Sequence, residues 1–300
     1  MDVAVCLIGV GRMGEHICSR LVRAGYRVRA YDVDPERRAA VLASEAQLAV
    51  SADHAAVGAD VLLTVLPGPA EVTEAVNDQV LKALAPDATW IDMSSNTQTD
   101  AEPLRRRAAS HGVSVLDAPM GGSPADAAAG RLRLFVGGED AVLARHQPLL
   151  SAVATRITHV GGHGAGYTAK LLVNLLWFGQ AVATAEVLLL AQRAGVDVNV
   201  MTETLALSPA SSAFIRNDLP SLLVGDYLAS FGLDHIHDQL AAVTTFAEQL
   251  GTPHSLAAAV RQVYEDALTR YGPVDGELLA VALLEEQAGM LLRSVAQPPT

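Results

Sequence analysis

Residues 3–25, VAVCLIGVGRMGEHICSRLVRAG, decide the fold. Their first part is a short apolar run that ends in glycines, which is typical of a buried strand. The second part has apolar residues at helical spacing and stops at a glycine. Gly9, Gly11 and Gly14 therefore form a G-x-G-x-x-G motif between a strand and a helix. In that context the motif indicates a dinucleotide-binding βαβ unit.

Each glycine of the motif has a separate expected role. Gly9 permits the tight turn, Gly11 lets the backbone approach a pyrophosphate, and Gly14 lets the helix pack closely on the strand. The N-terminus of the helix then stabilises the phosphate charge. The alternative interpretation is a strand-to-helix turn that binds no ligand.

Asp32 predicts which dinucleotide is bound. It ends the second predicted strand, where a carboxylate accepts hydrogen bonds from the adenosine ribose hydroxyls. A carboxylate there repels a 2′-phosphate, so Asp32 favours NAD over NADP. Arg37 and Arg38 are the argument for NADP, but they follow on the next helix.

The pattern of apolar residues in the rest of the chain changes once, between residues 154 and 167. Strand patterns alternate with helical segments as far as residue 154, which predicts a parallel sheet covered on both faces. From Tyr167 onward the apolar residues repeat at helical spacing and strand signals are few. We therefore expect a Rossmann-type α/β domain over residues 1–163 and an all-α domain over 164–300, joined by a long helix. The predicted strands are YRVRAYDVD (26–34), ADVLLTVLP (59–67), ATWIDMSS (88–95), VSVLDAPM (113–120) and RLRLFVGG (131–138), and the last predicted helix of the first domain is 139–154.

Composition narrows the class of protein. The net charge of −12 argues against nucleic acid as a partner, because phosphate contacts need clustered basic residues. The two cysteines imply no disulfide framework and fit a reducing compartment, and the N-terminus lacks the pattern of a signal peptide, so we expect a cytoplasmic protein. Residues 171–191 are apolar enough to resemble a membrane span, but Asn174, Gln180 and Glu186 interrupt them, which favours a buried helix and no membrane association.

Lys170 is unusual in this chain. Only Lys82 and Lys170 are lysines, and every other basic residue apart from histidine is arginine. The pKa of a lysine shifts readily on burial, so a lysine can exchange protons near neutral pH. Asn174 lies four residues further on, on the same face of a helix. The alternative is a lysine that extends from the end of a buried helix to solvent.

Four segments together resemble the β-hydroxyacid dehydrogenase family, which includes 3-hydroxyisobutyrate, tartronate-semialdehyde and 6-phosphogluconate dehydrogenases. They are GVGRMGEHICSRLVRAGYRV (9–28), VLPGPAEV (65–72) with IDMSSNT (91–97), DAPMGGSPADAAAGRLRLFVGG (117–138) and GAGYTAKLLVN (164–174). The resemblance implies a helical second domain that often mediates dimerisation, so a homodimer is expected. The cofactor residues that it and the motif imply are Gly9, Gly11, Arg12, Met13, Gly14, Asp32, Leu66, Pro67, Glu71 and Ser95.

The resemblance also assigns the chemistry. Lys170 falls on the family's catalytic lysine, which exchanges a proton with the substrate hydroxyl while a hydride passes to or from the nicotinamide. Asn174 falls on the asparagine that orients the substrate oxygen. The implied substrate is a small β-hydroxyacid or its semialdehyde, held through Met120, Gly121, Gly122 and Ser123. No metal is implied, and the histidines show no ligand spacing.

Two departures from the family pattern affect the substrate. Gly122 stands where one subgroup has an arginine for an anionic substrate tail, and a backbone pocket of N–H groups could accept a carboxylate instead. Asp238 and Gln239 stand where relatives have a lysine and an aspartate. Because that lysine typically lies close to the cofactor or substrate in relatives, the resemblance makes Asp238 a fifth candidate substrate-binding residue, and its carboxylate removes a cation from the cleft. Two alternatives stay open: an imine reductase of the same superfamily, whose members usually lack the lysine, and a cofactor-binding protein without turnover.

Overall fold

The computed structural model describes residues 3–294, and the chain divides into two compact units, with the boundary in the sequence between Lys170 and Leu171. The first unit is built on a nine-stranded, mainly parallel sheet. Its strands are β1 (Ala4–Ile8), β2 (Arg27–Tyr31), β3 (Gln47–Leu48), β4 (Val61–Thr64), β5 (Thr89–Asp92), β6 (Ser114–Asp117), β7 (Met120–Gly121), β8 (Leu132–Gly138) and β9 (Ala154–Gly161).

The strand order creates a switch point beside β1. The six parallel strands run in the order β3-β2-β1-β4-β5-β6, so β2 and β4 lie on opposite sides of β1. Ligands of open α/β sheets bind at the carboxyl ends of the strands where the order reverses. The loop that follows β1 lies at that point and carries the glycine motif.

Helices cover both faces of the sheet because successive strand residues point to opposite sides. On β1, Val5 and Leu7 join one apolar cluster, and Cys6 and Ile8 join the other. Both cysteines are buried free thiols. The helices of this unit are α1 (Gly14–Arg23), α2 (Arg38–Ala43) after a 3₁₀ turn (Pro35–Arg37), α3 (Ala52–Ala56), α4 (Pro69–Ala75), α5 (Asp78–Ala83), α6 (Gln98–Ser110), α7 (Pro124–Ala129) and α8 (Asp140–Ser151).

The end of the sheet differs from the sequence prediction. β8 runs antiparallel to β6 and β7, and β9 was not expected at all. β9 pairs only with β8, and most of its residues are exposed. An exposed edge strand lacks the apolar alternation by which strands are recognised. The short strands β3 and β7, of two residues each, were also not predicted as separate elements.

The second unit is helical, as expected, and contains no strand among its residues as far as 294. Two apolar clusters form its core, and Trp177 packs edge-on against Phe178 and Phe214. Its helices are the later part of α9 (Ala165–Arg193), then α10 (Val198–Leu207), α11 (Ala213–Asn217), α12 (Leu219–Leu223), α13 (Leu233–Gln249), α14 (Ser255–Tyr271) and α15 (Leu279–Ala288).

Helix α9 is long and apolar enough to cross a membrane, the one helix of that kind within residues 3–294. Ala181, Ala185 and Leu188 on this helix are fully buried in the clusters of the second unit. In contrast, Leu176 and Leu190 are 61% and 71% exposed. The prediction that residues 171–191 form a buried helix is therefore correct for one face of α9 and wrong for the face that carries Leu176 and Leu190.

Candidate active site

The predicted cofactor residues lie at one edge of the first unit. Gly9 follows β1, Asp32 follows β2, Leu66 follows β4 and Ser95 follows β5, each within three residues of the end of its strand. These four strands are parallel neighbours, so their carboxyl ends meet at the same edge of the sheet. The fold thus brings together residues that are far apart in the sequence.

The three glycines of the motif have different surroundings. Gly9 has a φ of +97°, and a Cβ there would overlap the carbonyl oxygen of Val65. A Cβ at Gly14 would overlap the carbonyl oxygen of Gly9, so α1 can begin this close to β1 only without a side chain. A Cβ at Gly11 would meet nothing within 4 Å. Gly11 therefore borders open space, where a pyrophosphate could approach the backbone.

Asp32 is tied to the glycine loop. Its Oδ2 accepts a hydrogen bond from the backbone N–H of Val10 at 2.6 Å, and its Oδ1 accepts one from Asp34 at 2.9 Å. These bonds fix the carboxylate beside the loop and leave it lone pairs for ribose hydroxyls. Arg37, the possible NADP residue, lies 3.5 Å from the Asp34 carboxylate in a half-exposed ion pair.

The remaining predicted cofactor residues lie on the loops around this edge. Arg12 is exposed and Met13 is half-buried, next to the start of α1. The backbone N–H of Leu66 donates to the buried Ser94 hydroxyl at 2.9 Å, which joins the loops after β4 and β5. Pro67 and Glu71 are exposed at the beginning of α4, and Ser95 is half-buried. The residues present fit a dinucleotide.

The substrate segment predicted from the sequence forms β7 and the start of α7. Met120 and Gly121 make up β7, and Gly122 has a φ of +131°. The Ser123 hydroxyl accepts from the backbone N–H of Asp126 at 3.3 Å and donates to the Asp126 carboxylate at 2.9 Å. Ser123 therefore caps α7, a structural use of its side chain that was not anticipated.

Two buried carboxylates hold the start of α9, and neither was singled out from the sequence. Asp117, which ends β6, accepts hydrogen bonds from the backbone N–H groups of Gly164, Gly166 and Tyr167 at 2.9, 2.7 and 3.4 Å. Asp92, which ends β5, accepts from the Tyr167 hydroxyl at 2.6 Å. Burial raises the pKa of Asp117, and its backbone donors act in the opposite direction.

Lys170 lies one turn after this attachment. Its side chain is half-buried, and burial lowers its pKa from 10.5 to about 8. The charge of Arg133 on β8 is the second, smaller cause of this lowered pKa. A lysine in this environment is partly deprotonated near neutral pH, so it can act as either a proton donor or a proton acceptor.

Asn174 follows Lys170 by one turn of α9. Its Nδ2 donates to Oε1 of Gln239 on α13 at 2.7 Å, which fixes the orientation of the amide. The neighbouring Asp238 has a side chain that is 78% exposed and lies 3.3 Å from Nδ1 of His237. Gln239, which stands where relatives have an aspartate, therefore contacts Asn174 directly within the second unit. Asp238 is largely exposed to solvent and contacts His237.

Family models of known dehydrogenases match both halves of the chain. Residues 4–161 match the family model described as the NAD binding domain of 6-phosphogluconate dehydrogenase. Residues 164–284 match the model described as NAD-binding of NADP-dependent 3-hydroxyisobutyrate dehydrogenase. The two matches cover the predicted dinucleotide residues and the segment with Lys170 and Asn174.

Individual relatives match over most of their length. A 3-hydroxyisobutyrate dehydrogenase of Pseudomonas aeruginosa is 34% identical over 87% of this chain and 90% of its own. A 2-(hydroxymethyl)glutarate dehydrogenase of Eubacterium barkeri is 30% identical over 88% of this chain and 89% of its own. The solved structure of Mycobacterium tuberculosis 3-hydroxyisobutyrate dehydrogenase with L-serine has a TM-score of 0.87 at 27% identity, covering 94% of this chain and 99% of that one.

The surroundings of Gly11 and Gly14 predict opposite behaviour for two matched substitutions. Gly11→Ala should leave the melting temperature unchanged and weaken dinucleotide binding, because its Cβ enters open space that a pyrophosphate would need. Gly14→Ala should lower the melting temperature as well, because its Cβ meets backbone. Thermal melts and fluorescence titration with NADH check this, and equal melting temperatures for the two variants would contradict it.

Proposed function

Because the chain belongs to the β-hydroxyacid dehydrogenase family, we propose that it interconverts a small 3-hydroxy carboxylate and its semialdehyde, with NAD as the cofactor. The chain is an NAD(P)-dependent oxidoreductase that acts on a CH–OH group. The observation that carries the finer proposal is Lys170, a half-buried lysine with a lowered pKa one turn from an oriented asparagine.

The proton chemistry follows from these two side chains. The bound nicotinamide supplies the hydride acceptor for oxidation and the hydride donor for reduction. In oxidation, neutral Lys170 Nζ takes the proton from the substrate hydroxyl oxygen, while the carbon that bears this hydroxyl loses the hydride. In reduction, the Lys170 ammonium returns a proton to the forming alkoxide. Asn174 holds the substrate oxygen through its amide without adding charge.

The preference for NAD rests on Asp32. The Asp32 carboxylate is held beside the glycine loop by backbone donors, so its negative charge stays near the position of the ribose 2′-oxygen. A 2′-phosphate brought to that position would be repelled. Arg37 contributes less to NADP binding because the Asp34 carboxylate already neutralises it.

We also propose that the protein forms a homodimer and that it functions in the cytoplasm. Leu176 and Leu190 on α9 are large, apolar and mostly exposed, which is typical of a surface that a second copy covers. The buried free thiols of Cys6 and Cys18 fit a reducing compartment.

Lys170→Arg is the sharpest test of the proposed chemistry. Arginine keeps the positive charge but does not deprotonate at working pH, so turnover of 3-hydroxyisobutyrate with NAD should fall by about 10²- to 10⁴-fold. Affinity for NADH should stay within about 3-fold of the unmodified protein, since the cofactor is held by other residues. Absorbance of the reduced nicotinamide measures turnover, across a panel of 3-hydroxy carboxylates.

Lys82→Arg is the matched control, because Lys82 is the other lysine and lies exposed on α5. It should keep full activity. A Lys170→Arg variant that keeps most of the original rate would mean that Lys170 is only a fixed positive charge. An unmodified protein that binds NADH yet oxidises no member of the panel would overturn the proposed function.

Asp32→Ser tests the cofactor preference. Removal of the carboxylate should lower the ratio of kcat/KM for NAD to that for NADP by about 10-fold or more, because a charged hydrogen bond to ribose and a repulsion of the 2′-phosphate are lost together. Asp78→Ser is the control, since Asp78 is an exposed carboxylate on α5 that pairs with His111, and it should leave the ratio unchanged. Equal kcat/KM for the two cofactors in the unmodified protein would contradict the preference.

A further inference from the structure

Arg133 lies on the strand beside the proposed substrate segment. It is the second residue of β8 and is paired in antiparallel register with Gly121 of β7. A Cβ built on Gly121 would lie 3.8 Å from both Cβ and Nε of Arg133. The Arg133 side chain therefore lies beside the place that a side chain at residue 121 would fill, on the same face of the sheet.

The guanidinium of Arg133 has no counterion in the part of the chain that the structure describes. No carboxylate of residues 3–294 lies within ion-pair distance of it, and no hydrogen bond holds it. Arg131, two residues earlier, is different, because it pairs with Asp126 at 3.2 Å. Arg133 is also exposed, so its donors are available to a ligand.

A second arginine, Arg156, adds another positive charge beside Arg133. Arg156 of β9 is the register partner of Arg133, so the two cationic side chains lie next to each other on adjacent strands. Like charges directly opposite each other destabilise a sheet. No acidic side chain of the described residues pairs with either one. An anion bound beside β8 would relieve this repulsion.

The backbone of Gly122 explains why the cation lies on β8. Its φ of +131° belongs to a region that side-chain-bearing residues rarely adopt. A Cβ there would also lie 3.2 Å from Asp126 Cβ and from Leu132 Cδ2. An arginine at residue 122 would be strained, so a positive charge beside this segment has to come from a neighbouring strand.

Arg133 is also close enough to the proposed acid/base group to act on it. After burial, its charge is the second cause of the lowered pKa of Lys170. A group that binds the far end of a small substrate must lie within a few ångströms of the group that exchanges its hydroxyl proton. The β7 segment, Arg133 and Lys170 all belong to the first unit.

We propose that Arg133 binds the carboxylate of the substrate and is the residue that makes the enzyme select an anionic 3-hydroxy compound over a neutral one. This proposal rests on the proposed function for the identity of the substrate. The planar guanidinium can donate two parallel hydrogen bonds to a carboxylate, and Nε of Arg133 lies beside β7, the predicted substrate segment. Arg133 thus supplies, from the adjacent strand β8, the positive charge that one subgroup of the family places at the position of Gly122.

Calorimetric binding of 3-hydroxypropanoate to the NADH-saturated protein tests this without requiring turnover. Arg133→Gln should weaken binding by about 10- to 100-fold, as expected when a charge-assisted hydrogen bond is lost. Arg133→Lys should recover part of the loss, because the charge returns without the planar pair of donors. Arg156→Gln is the matched control, one strand further from Gly121, and should change binding by less than about 3-fold.

Turnover provides the second readout. The unmodified enzyme should prefer 3-hydroxypropanoate to its methyl ester in kcat/KM, and Arg133→Gln should remove that preference mainly through KM. The ratio of the two substrates is the readout, because loss of the Arg133 charge also raises the pKa of Lys170 and changes the rate with both substrates alike. Unchanged binding in Arg133→Gln, equal losses in Arg133→Gln and Arg156→Gln, or no binding by the unmodified protein would each overturn the proposal. Binding that depends on Arg133 without any turnover would overturn the proposed function and leave the anion site intact.

Discussion

The position of the proposed acid/base group, Lys170, depends on one attachment, in which the Asp117 carboxylate accepts hydrogen bonds from backbone N–H groups at the beginning of α9. Both carboxylate oxygens of Asp117 accept backbone N–H groups that have no partner within the helix. A carboxylate at a helix N-terminus also interacts favourably with the helix dipole. Gly166 permits the close approach, since a Cβ there would overlap the Phe135 carbonyl oxygen. Lys170 follows four residues later, so the end of β6 determines where its side chain starts.

The charges around this attachment serve two purposes. Asp117 and Asp92 are buried, and burial of a carboxylate is unfavourable unless donors surround it. Both have such donors, from the backbone and from Tyr167. Lys170 lies near a cation instead, so burial and Arg133 together favour its neutral form. The acidic groups thus stabilise the helix start, while the environment of Lys170 keeps the lysine able to lose a proton.

The sequence predicted what depends on local pattern. The glycine motif, the carboxylate at the end of β2 and the apolar strands all have signatures within a few residues, so the parallel part of the sheet and the cofactor edge could be predicted. Lys170 and Asn174 were recognised by resemblance and by their spacing. The edge strand β9 was missed because exposed residues on both faces give no alternation.

Other features depend on the approach of distant segments. The bond between Asn174 and Gln239 spans 65 residues, and the register of Arg133 with Gly121 depends on an antiparallel pairing that the pattern of a parallel sheet does not suggest. A weak signal for the attachment of α9 was present. Asp92 and Asp117 each end a buried strand, the position at which functional carboxylates are often found. Only the folded structure shows that these two carboxylates bind Tyr167 and the start of α9.

The most direct test of a proton-exchanging Lys170 is the pH dependence of kcat/KM for oxidation of 3-hydroxyisobutyrate at saturating NAD. Oxidation needs the neutral amine, so log kcat/KM should rise with pH and level off above about 8, where burial and Arg133 place the pKa of Lys170. A profile that is flat between about pH 6 and 9, or that keeps rising to the ordinary lysine pKa near 10.4, would contradict the account.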